Sequence, residues 1–433
     1  MTGATDSGPG IGAGNTGLPD AFASRGGSID ATKRYFHGTH RTCAPDDTVA
    51  RLQPLLREMG ITRIANVTGL DRTGIPVVMV CRPNSRSVTV SQGKGVTLAA
   101  AKASGIMEAL EVWHAERIVK PLRLASFDEM RGEHRVADIA RLPRARGSRF
   151  TAGLPLLWIE GGDLLSDGRV WVPLELVSTN YTLPLPPGTG CFQANTNGLA
   201  SGNHWLEAVS HGLCEVVERD ATTLWKHRAP GGRGRWVLDV ASIDDPACAG
   251  VIARFVEAGL QVRIWDTTSD AGIASFICLV MGCDGDDADP EFGAGCHPAR
   301  HIALLRALTE AAQARNTYIA GARDDYFARL YSPALRARRQ AQCRRLLASS
   351  EPQRAFPHVP SFESPSIVGD LRWMLARLRA IGIDQVVAVD LTRESIGVPV
   401  VRVIVPGLEG VLNEDDGDYA PGLRARQCLQ GAA

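Results

Sequence analysis

Residues 48–82 read TVARLQPLLREMGITRIANVTGLDRTGIPVVMVCR, and their pattern returns twice further along the chain. Residues 246–280 read PACAGVIARFVEAGLQVRIWDTTSDAGIASFICLV, and residues 370–404 read DLRWMLARLRAIGIDQVVAVDLTRESIGVPVVRVI. Each stretch opens with apolar residues at three- and four-residue spacing, the pattern of an amphipathic helix. A Gly-Ile or Gly-Leu step follows at Gly60, Gly259 and Gly382, where a left-handed residue would end the helix. A β-branched strand comes next, then a polar glycine-bearing turn and a second strand rich in Val and Ile. Pro76 and Pro399 stand where that second strand begins, a place that tolerates a missing N–H. Three uses of a helix–strand–turn–strand unit argue for a compact α+β fold with its copies packed together, and against a string of independent domains.

Two of the units run into a further helix. After the first comes SQGKGVTLAAAKASGIMEALEVWHAERI (91–118), and after the second GCHPARHIALLRALTEAAQARNTYIAGARDD (295–325). A third helix of the same kind lies between them in CFQANTNGLASGNHWLEAVSHGLCEVVERDATTLWK (191–226). It begins as a polar turn, Asn195-Thr196-Asn197-Gly198, and continues from Asn203 for about six turns. Residues 154–178 read as a β-hairpin turning at Asp167-Gly168, and PLPPG at 184–188 as a rigid loop. Residues 331–365 are basic and proline-punctuated, which suits an outer helix and a connecting loop.

The three helices carry polar stripes. At roughly 100° per residue, Glu207, His211 and Glu218 fall within about 40° of one another, with Glu215 about 80° from Glu207. Leu206, Val209, Leu213, Val216, Val217, Ala221 and Leu224 occupy other angles, so the core face and the carboxylates look different ways. For one helix alone, a solvated face explains such a stripe. Ser104, Glu108 and Glu111 share a face of the first helix, however, and Arg306, Glu310 and Gln313 a face of the last. Ser91-Gln92-Gly93-Lys94-Gly95 adds backbone N–H groups and an ammonium near a helix start, which suits a phosphate. It is not a Walker A loop, because Lys94 precedes a glycine and Val88 stands where the first glycine belongs. Hard oxygen ligands in this number suit Mg²⁺ bridging to phosphates, with Lys94, Arg219 and Arg306 to neutralise them. The pattern reads as a Mg-nucleotide site lined by helices and lacking a P-loop.

Composition narrows the classes further. Forty-seven basic residues balance forty-seven acidic ones, which gives no electrostatic case for nucleic acid or an anionic membrane. No apolar run approaches the roughly 20 residues of a membrane span. Residues 1–30 are glycine-rich and poor in large side chains, hence expected as a disordered tail ahead of a catalytic domain over 31–433. They show neither a basic n-region nor an apolar h-region, so no signal peptide is expected, and the compartment expected is the cytoplasm. Ten cysteines without a CxxC pair read as reduced structural thiols, not a zinc site.

SQGKG…SGIMEALE, NTNGLASGN…EAVSHGLCEVVERDA and RALTEAAQAR…GARDD together resemble the YcaO family, over about residues 35–425. GTHR at 38–41, GITRIANVTGLDRTGIPV at 60–77 and RPNSRSVTVSQGKG at 82–95 are similar to the branch that accompanies TfuA proteins. The resemblance implies a YcaO-like fold and an enzyme that uses ATP and Mg²⁺ on backbone amides of a ribosomally made peptide. A nucleophile adds to the carbonyl, ATP phosphorylates the resulting oxygen, and phosphate leaves. External sulfide gives a thioamide, and a neighbouring Cys, Ser or Thr an azoline. Matched residue by residue, Lys94, Ser104, Asn197, Arg219, Arg306 and Glu310 correspond to the family's nucleotide contacts. Glu108, Glu111, Glu207, Glu215 and Glu218 correspond to its metal ligands. The family also uses a basic residue near the N-terminus, for which Lys33, Arg34 and Arg41 compete. The ending GLRARQCLQGAA lacks the alternating prolines of many azoline-forming members, which favours thioamide formation. The expected partners are a precursor peptide, a TfuA-like protein and an external sulfur donor, with a homodimer left open. A non-catalytic peptide scaffold is the competing class, and it has no use for a column of carboxylates.

Overall fold

The computed structural model describes residues 31–35, 37–166, 168–228, 233–283, 289–348, 351–412 and 419–430. The tail expected over 1–30 and Asp167 of the expected hairpin turn lie outside these residues. The first repeat supplies α1 (Pro45–Leu52), β1 (Arg63–Asn66) and β2 (Val77–Cys81), continued by β3 (Val90–Lys94) and α2 (Leu98–Ala115). A middle segment supplies β4 (Leu122–Ala125), the hairpin β5 (Leu156–Asp163) and β6 (Gly168–Pro173), β7 (Leu199–Ser201) and the long α3 (Trp205–His227). The second repeat is α4 (Pro246–Glu257), β8 (Leu260–Asp266) and β9 (Ser275–Gly282), continued by β10 (Glu291–Cys296) and α5 (Arg300–Ala320). After an outer helix α6 (Pro333–Ala348), the third repeat is α7 (Ile367–Ala380), β11 (Val387–Asp390) and β12 (Val400–Ile404), followed by α8 (Leu423–Gln430).

The helix–strand–turn–strand units form as their spacing predicts, and Gly60, Gly259 and Gly382 end their helices at φ +71°, +70° and +78°. The helix of the first unit is shorter than its apolar spacing predicts. Pro54 has no N–H to continue the ladder, and the chain leaves α1 through a 3₁₀ turn at Gln53–Leu55. The long middle helix starts at Trp205, two residues later than expected, because the His204 side chain caps it by accepting from Leu206 N.

Strands β1-β2-β3 form one antiparallel sheet and β8-β9-β10 a second, each handing its last strand to a helix. The third repeat joins a six-stranded sheet of order β4-β5-β11-β12-β7, with β6 on β5. There β12 pairs antiparallel with β7, in the register Val400↔Ser201 and Arg402↔Leu199, and α3 follows β7. The third unit is therefore completed by a strand and a helix from much earlier in the chain. Helix, three strands and helix recur three times, which places α2, α3 and α5 in equivalent positions.

Glycine lets the helices lie directly on their strands. A Cβ on Gly93 would stand 2.0 Å from Ala101 O of α2, and one on Gly293 2.1 Å from Ala307 O of α5. That close approach lets Glu108 accept from Gln92 N and Glu310 from Ala294 N, each 16 residues along the chain from its donor. Apolar packing holds the helices down. Leu213 and Val216 of α3 share a core with Val401, Val403 and Met374, while Phe255, Phe276 and Leu304 join α4, β9 and α5. Truncating a buried Phe such as Phe255 to Ala should cost about 3–5 kcal/mol. Among the described residues no helix is long and apolar enough to cross a membrane.

Candidate active site

Polar stripes of α2, α3 and α5 turn toward one another. Lys94, at the end of β3, places Nζ 2.7 Å from Glu310 Oε2 on α5. Two residues earlier on the strand, Gln92 accepts at Oε1 from Thr317 Oγ1 at 2.6 Å, so first and second repeats are tied side by side. Glu111 of α2 accepts at Oε1 from Ser201 N at 2.8 Å and Ser201 Oγ at 2.7 Å, which ties the first repeat to β7. On α3, Glu218 Oε1 lies 3.4 Å from Arg219 Nη1. Arg306 of α5 donates from Nη1 to Cys296 O at 3.1 Å, fixing it at the mouth of its own strand.

A solvated face does not describe the middle helix. Glu207 is 3% exposed and Glu218 7%: the segment at Arg41-Thr42 covers the first, and Arg219 and the α5 carboxylate Glu310 stand near the second. Sequence periodicity finds which residues share a face, but only tertiary packing decides what the face meets. Glu207 stands about 12 Å along the helix from Glu215, at eight residues of ~1.5 Å each. There its Oε2 accepts from Thr42 N at 3.1 Å and Thr42 Oγ1 at 2.9 Å, and Arg41 Nη1 lies 3.7 Å from its Oε1.

Of the three basic residues near the N-terminus, Arg41 is the one that lies against the stripe of α3. Arg41 faces Glu207, with Arg306 and Glu111 as further charge neighbours. Lys33 instead sits 2.5 Å from Asp370 Oδ2, and Arg34 is exposed. His40, His297 and Asp370 bring ligand atoms within 4.8 Å of one another, yet they do not offer a metal site. Asp370 is occupied by Lys33 and Ser364 N, and His297 Nδ1 accepts from Ala299 N. A neutral imidazole that accepts at Nδ1 carries its proton on Nε2 and has no lone pair left there.

Electrostatics show a site crowded with carboxylates. Burial, followed by the charges of Glu108 and Glu215, pushes Glu111 up to about 8 against its hydrogen bonds from Ser201. Burial and Glu218 push Glu215 up to about 7 against Arg219. Glu108 and Glu218 are raised in the same sense, by burial first and then by Glu310. Glu310 goes the other way: burial would raise it, but Lys94 and Arg219 outweigh that and hold it below the usual carboxylate range. His211, on the same stripe, is kept neutral by burial and by Arg306, Arg41 and Lys94. Each helix thus contributes charges that act on the other two.

Ser104 lies half-buried on α2, one turn before Glu108. Asn197 is half-buried in the turn before β7, where its N–H donates to Asn195 Oδ1 at 2.9 Å and its own Oδ1 has no hydrogen-bond partner among the described residues. Thr42, Ser201 and Gln92 position site carboxylates or join the repeats, roles that the sequence reading did not assign to them. Arg402, buried on β12 beside Asn195, left one trace in the sequence: an arginine inside the apolar run VVRVI.

This donor set fits a magnesium-bound nucleotide. Mutually repelling carboxylates, raised by burial and by one another, are the groups a dication would stabilise as anions. Glu108, Glu111, Glu215 and Glu218 could hold the metal, while Lys94, Arg219 and Arg306 stand where phosphate charge would be neutralised.

A family model described as YcaO cyclodehydratase, ATP- and Mg²⁺-binding, matches residues 92–409. A protein of Rhizobium leguminosarum bv. trifolii described as lying in the tfuA 3′ region is 39% identical over 406 residues, covering 90% of this chain and 93% of its own. A Methanothermobacter thermautotrophicus protein is 38% identical over 380 residues, covering 84% of this chain and 94% of its own. Two solved structures share the fold at 23% identity. One is a heterocyclase in complex with substrate and cofactor, with TM-score 0.73 over 91% of this chain and 55% of the heterocyclase, so this chain spans about half its length. The other is the YcaO of Methanopyrus kandleri bound with AMPPCP and Mg²⁺, with TM-score 0.71 over 90% of this chain and 98% of that one. On the family match and these relatives, the chain belongs to the YcaO family of ATP- and Mg²⁺-binding, peptide-modifying enzymes, and within it resembles the TfuA-associated branch.

Proposed function

We propose that this enzyme converts a backbone amide of a ribosomally made peptide to a thioamide, with sulfur from an external donor. The observation that carries the reading is the convergence of charged groups from three repeats, Lys94, Glu108, Glu218, Arg219, Arg306 and Glu310, on one another. Similarity to the protein of the tfuA 3′ region supports the thioamide branch and a TfuA-like partner. Ten free thiols suit a reducing compartment, the cytoplasm. Residues 31–433 act in this reading as one catalytic domain, alone or as a homodimer.

When bound, Mg-ATP supplies the phosphoryl group that turns the amide oxygen into a leaving phosphate. Sulfide adds to the carbonyl carbon, the oxygen takes the γ-phosphoryl with loss of ADP, and phosphate departs as the C=S bond forms. Glu108, Glu111, Glu215 and Glu218 bind the metal, with Glu207 serving the end of the site nearest Arg41. Lys94, Arg219, Arg306 and Arg41 bind phosphate oxygens, helped by Ser104 and Asn197, and Glu310 fixes the Lys94 ammonium. Fixed cations where charge develops are the largest part of such catalysis.

An azoline-forming cyclodehydratase is the second reading, favoured by the description of the family model. Mass spectrometry of the precursor peptide after incubation with Mg-ATP and sulfide separates the two. A gain equal to sulfur for oxygen supports thioamidation, and loss of one water supports the azoline. ATP turnover without any peptide product would leave only an uncoupled ATPase and contradict both.

A further inference from the structure

Strand β12 carries one arginine in an otherwise apolar run, VVRVI at 400–404. Arg402 is 2% exposed. Its Nη2 donates to Asn195 Oδ1 at 3.2 Å, while Nε and Nη1 meet no acceptor among the described residues. Burial brings its pKa down to about 10, and the charges that pull it back up are Glu215 and the Tyr181 phenol. A guanidinium left with unused donors in the interior destabilises the folded state unless something binds to it.

Its neighbours show what that something is. Lys94, Arg219 and Arg306 act on Glu218 and so already serve the side of the site that suits phosphate. Arg402 instead faces Glu215 and is bonded to Asn195, which follows Ala194 in the chain. Ala194 and Tyr181 also line an apolar pocket with Leu156, Leu185 and Phe192. Its carboxylate, Glu175, is fully engaged by the amides of Gly190, Cys191 and Phe192. The pocket therefore offers an apolar surface and no free charge, and Tyr181 on its wall is, with Glu215, the charge neighbour of Arg402 and its two unused N–H donors.

We propose that Arg402 holds the oxygen of the substrate's peptide amide, while the pocket between Tyr181 and Phe192 takes the apolar side chain next to that amide. The assignment rests on the proposed function and adds to it the substrate side of the site. Donors fixed in a buried place bind a carbonyl oxygen weakly and hold it more tightly as nucleophilic addition gives it negative charge. An apolar neighbour to the modified amide follows from the lining of the pocket.

The test replaces Arg402 with Met and measures three things. Thermal melting reports the fold, calorimetry reports Mg-AMPPCP affinity, and saturation-transfer NMR with Mg-AMPPCP present reports binding of capped tripeptides, acetyl-glycyl-leucyl-glycinamide and its aspartyl counterpart. The expected result for R402M is an unchanged or higher melting temperature and nucleotide affinity within roughly twofold. The leucyl-peptide signal should drop about tenfold from its wild-type level, and the aspartyl peptide should bind neither protein. A large drop in melting temperature would make Arg402 a structural residue, and a tenfold loss of AMPPCP affinity would make it a nucleotide contact; either overturns the proposal. So do equal leucyl-peptide signals in both proteins, or none in either, with the ATP site left standing. Failure of wild-type protein to bind Mg-AMPPCP sinks the proposed function, and this assignment with it.

Discussion

Lys94 Nζ and Glu310 Oε2 stand 2.7 Å apart across 216 residues of sequence. They come from the first and second repeats, Lys94 at the end of a third strand and Glu310 on the helix that follows one. Both are about a quarter exposed, so the contact opens toward the site and not into a core. Removing the ammonium should release Glu310 from its lowered pKa and leave a phosphate-binding position uncharged. Lys94→Met is expected to weaken Mg-AMPPCP binding about tenfold or more without unfolding the protein. Calorimetry checks this, and unchanged affinity would reduce the pair to an ordinary surface bridge.

Acidity of the carboxylates gives a prediction about pH. Glu111 is pushed up to about 8 and Glu215 to about 7, above the unfolded carboxylate value. The folded apo-protein then binds more protons than the unfolded chain, so these groups make stability fall as pH rises toward 8. His40, His211 and His297 are held below the ordinary imidazole value and act in the opposite sense, but only below about pH 6.5. Between roughly pH 6.5 and 8 the apo-protein should lose about 1–2 kcal/mol of stability. Excess Mg²⁺ and nucleotide should flatten that slope, because metal replaces the protons. Denaturant melts with and without Mg-AMPPCP read both effects, and a slope of the opposite sign in the apo-protein would contradict the crowding of the site.

Glu218→Gln keeps the side-chain shape and removes one charge from a repelling set. ATP turnover is expected to fall roughly 10²-fold or more, while the melting temperature stays or rises because like-charge repulsion is relieved. A variant with full turnover removes Glu218 from the metal site. One that unfolds shows the stripe to be structural.

The thiols of the central stretch are expected to be structural. Cys191 is fully buried, donates to Gly188 O at 3.1 Å, and is pushed up by burial and by Glu175. Cys214 is buried against Met374 Sδ at 3.7 Å and drawn below its ordinary range by a hydrogen bond with Cys296, which makes it the one to watch. Cys191→Ser and Cys214→Ser should each yield product at near the unmodified rate with sulfide supplied. A folded variant that hydrolyses ATP but adds no sulfur would make that cysteine a sulfur carrier.

Much of this architecture is legible in the sequence where a local rule encodes it. Glycine stops and the two periodicities mark each repeat, and spacings of three and four put Glu108 with Glu111 and Arg306 with Glu310 on common faces. What β12 pairs with is not local. Its partner strand β7 and the following α3 precede it by some 200 residues, so the third repeat looks incomplete until folded. Burial of Glu207 and Glu218 was equally hidden, since a polar stripe covered by distant parts of the chain reads like one facing water. The choice among Lys33, Arg34 and Arg41 depends on how an irregular segment lies across α3. Arg402 was readable in principle, as a charge inside a strand otherwise fit for burial on both faces.

The direct measurement is anomalous diffraction from crystals grown with AMPPCP and Mn²⁺ in place of Mg²⁺. Manganese peaks are expected between α2 and α3, ligated by carboxylates from both helices, Glu108 or Glu111 with Glu215 or Glu218. The phosphates should reach Lys94 and Arg219. Phosphates at any other face of the molecule, or metal held by one helix alone, would contradict the account.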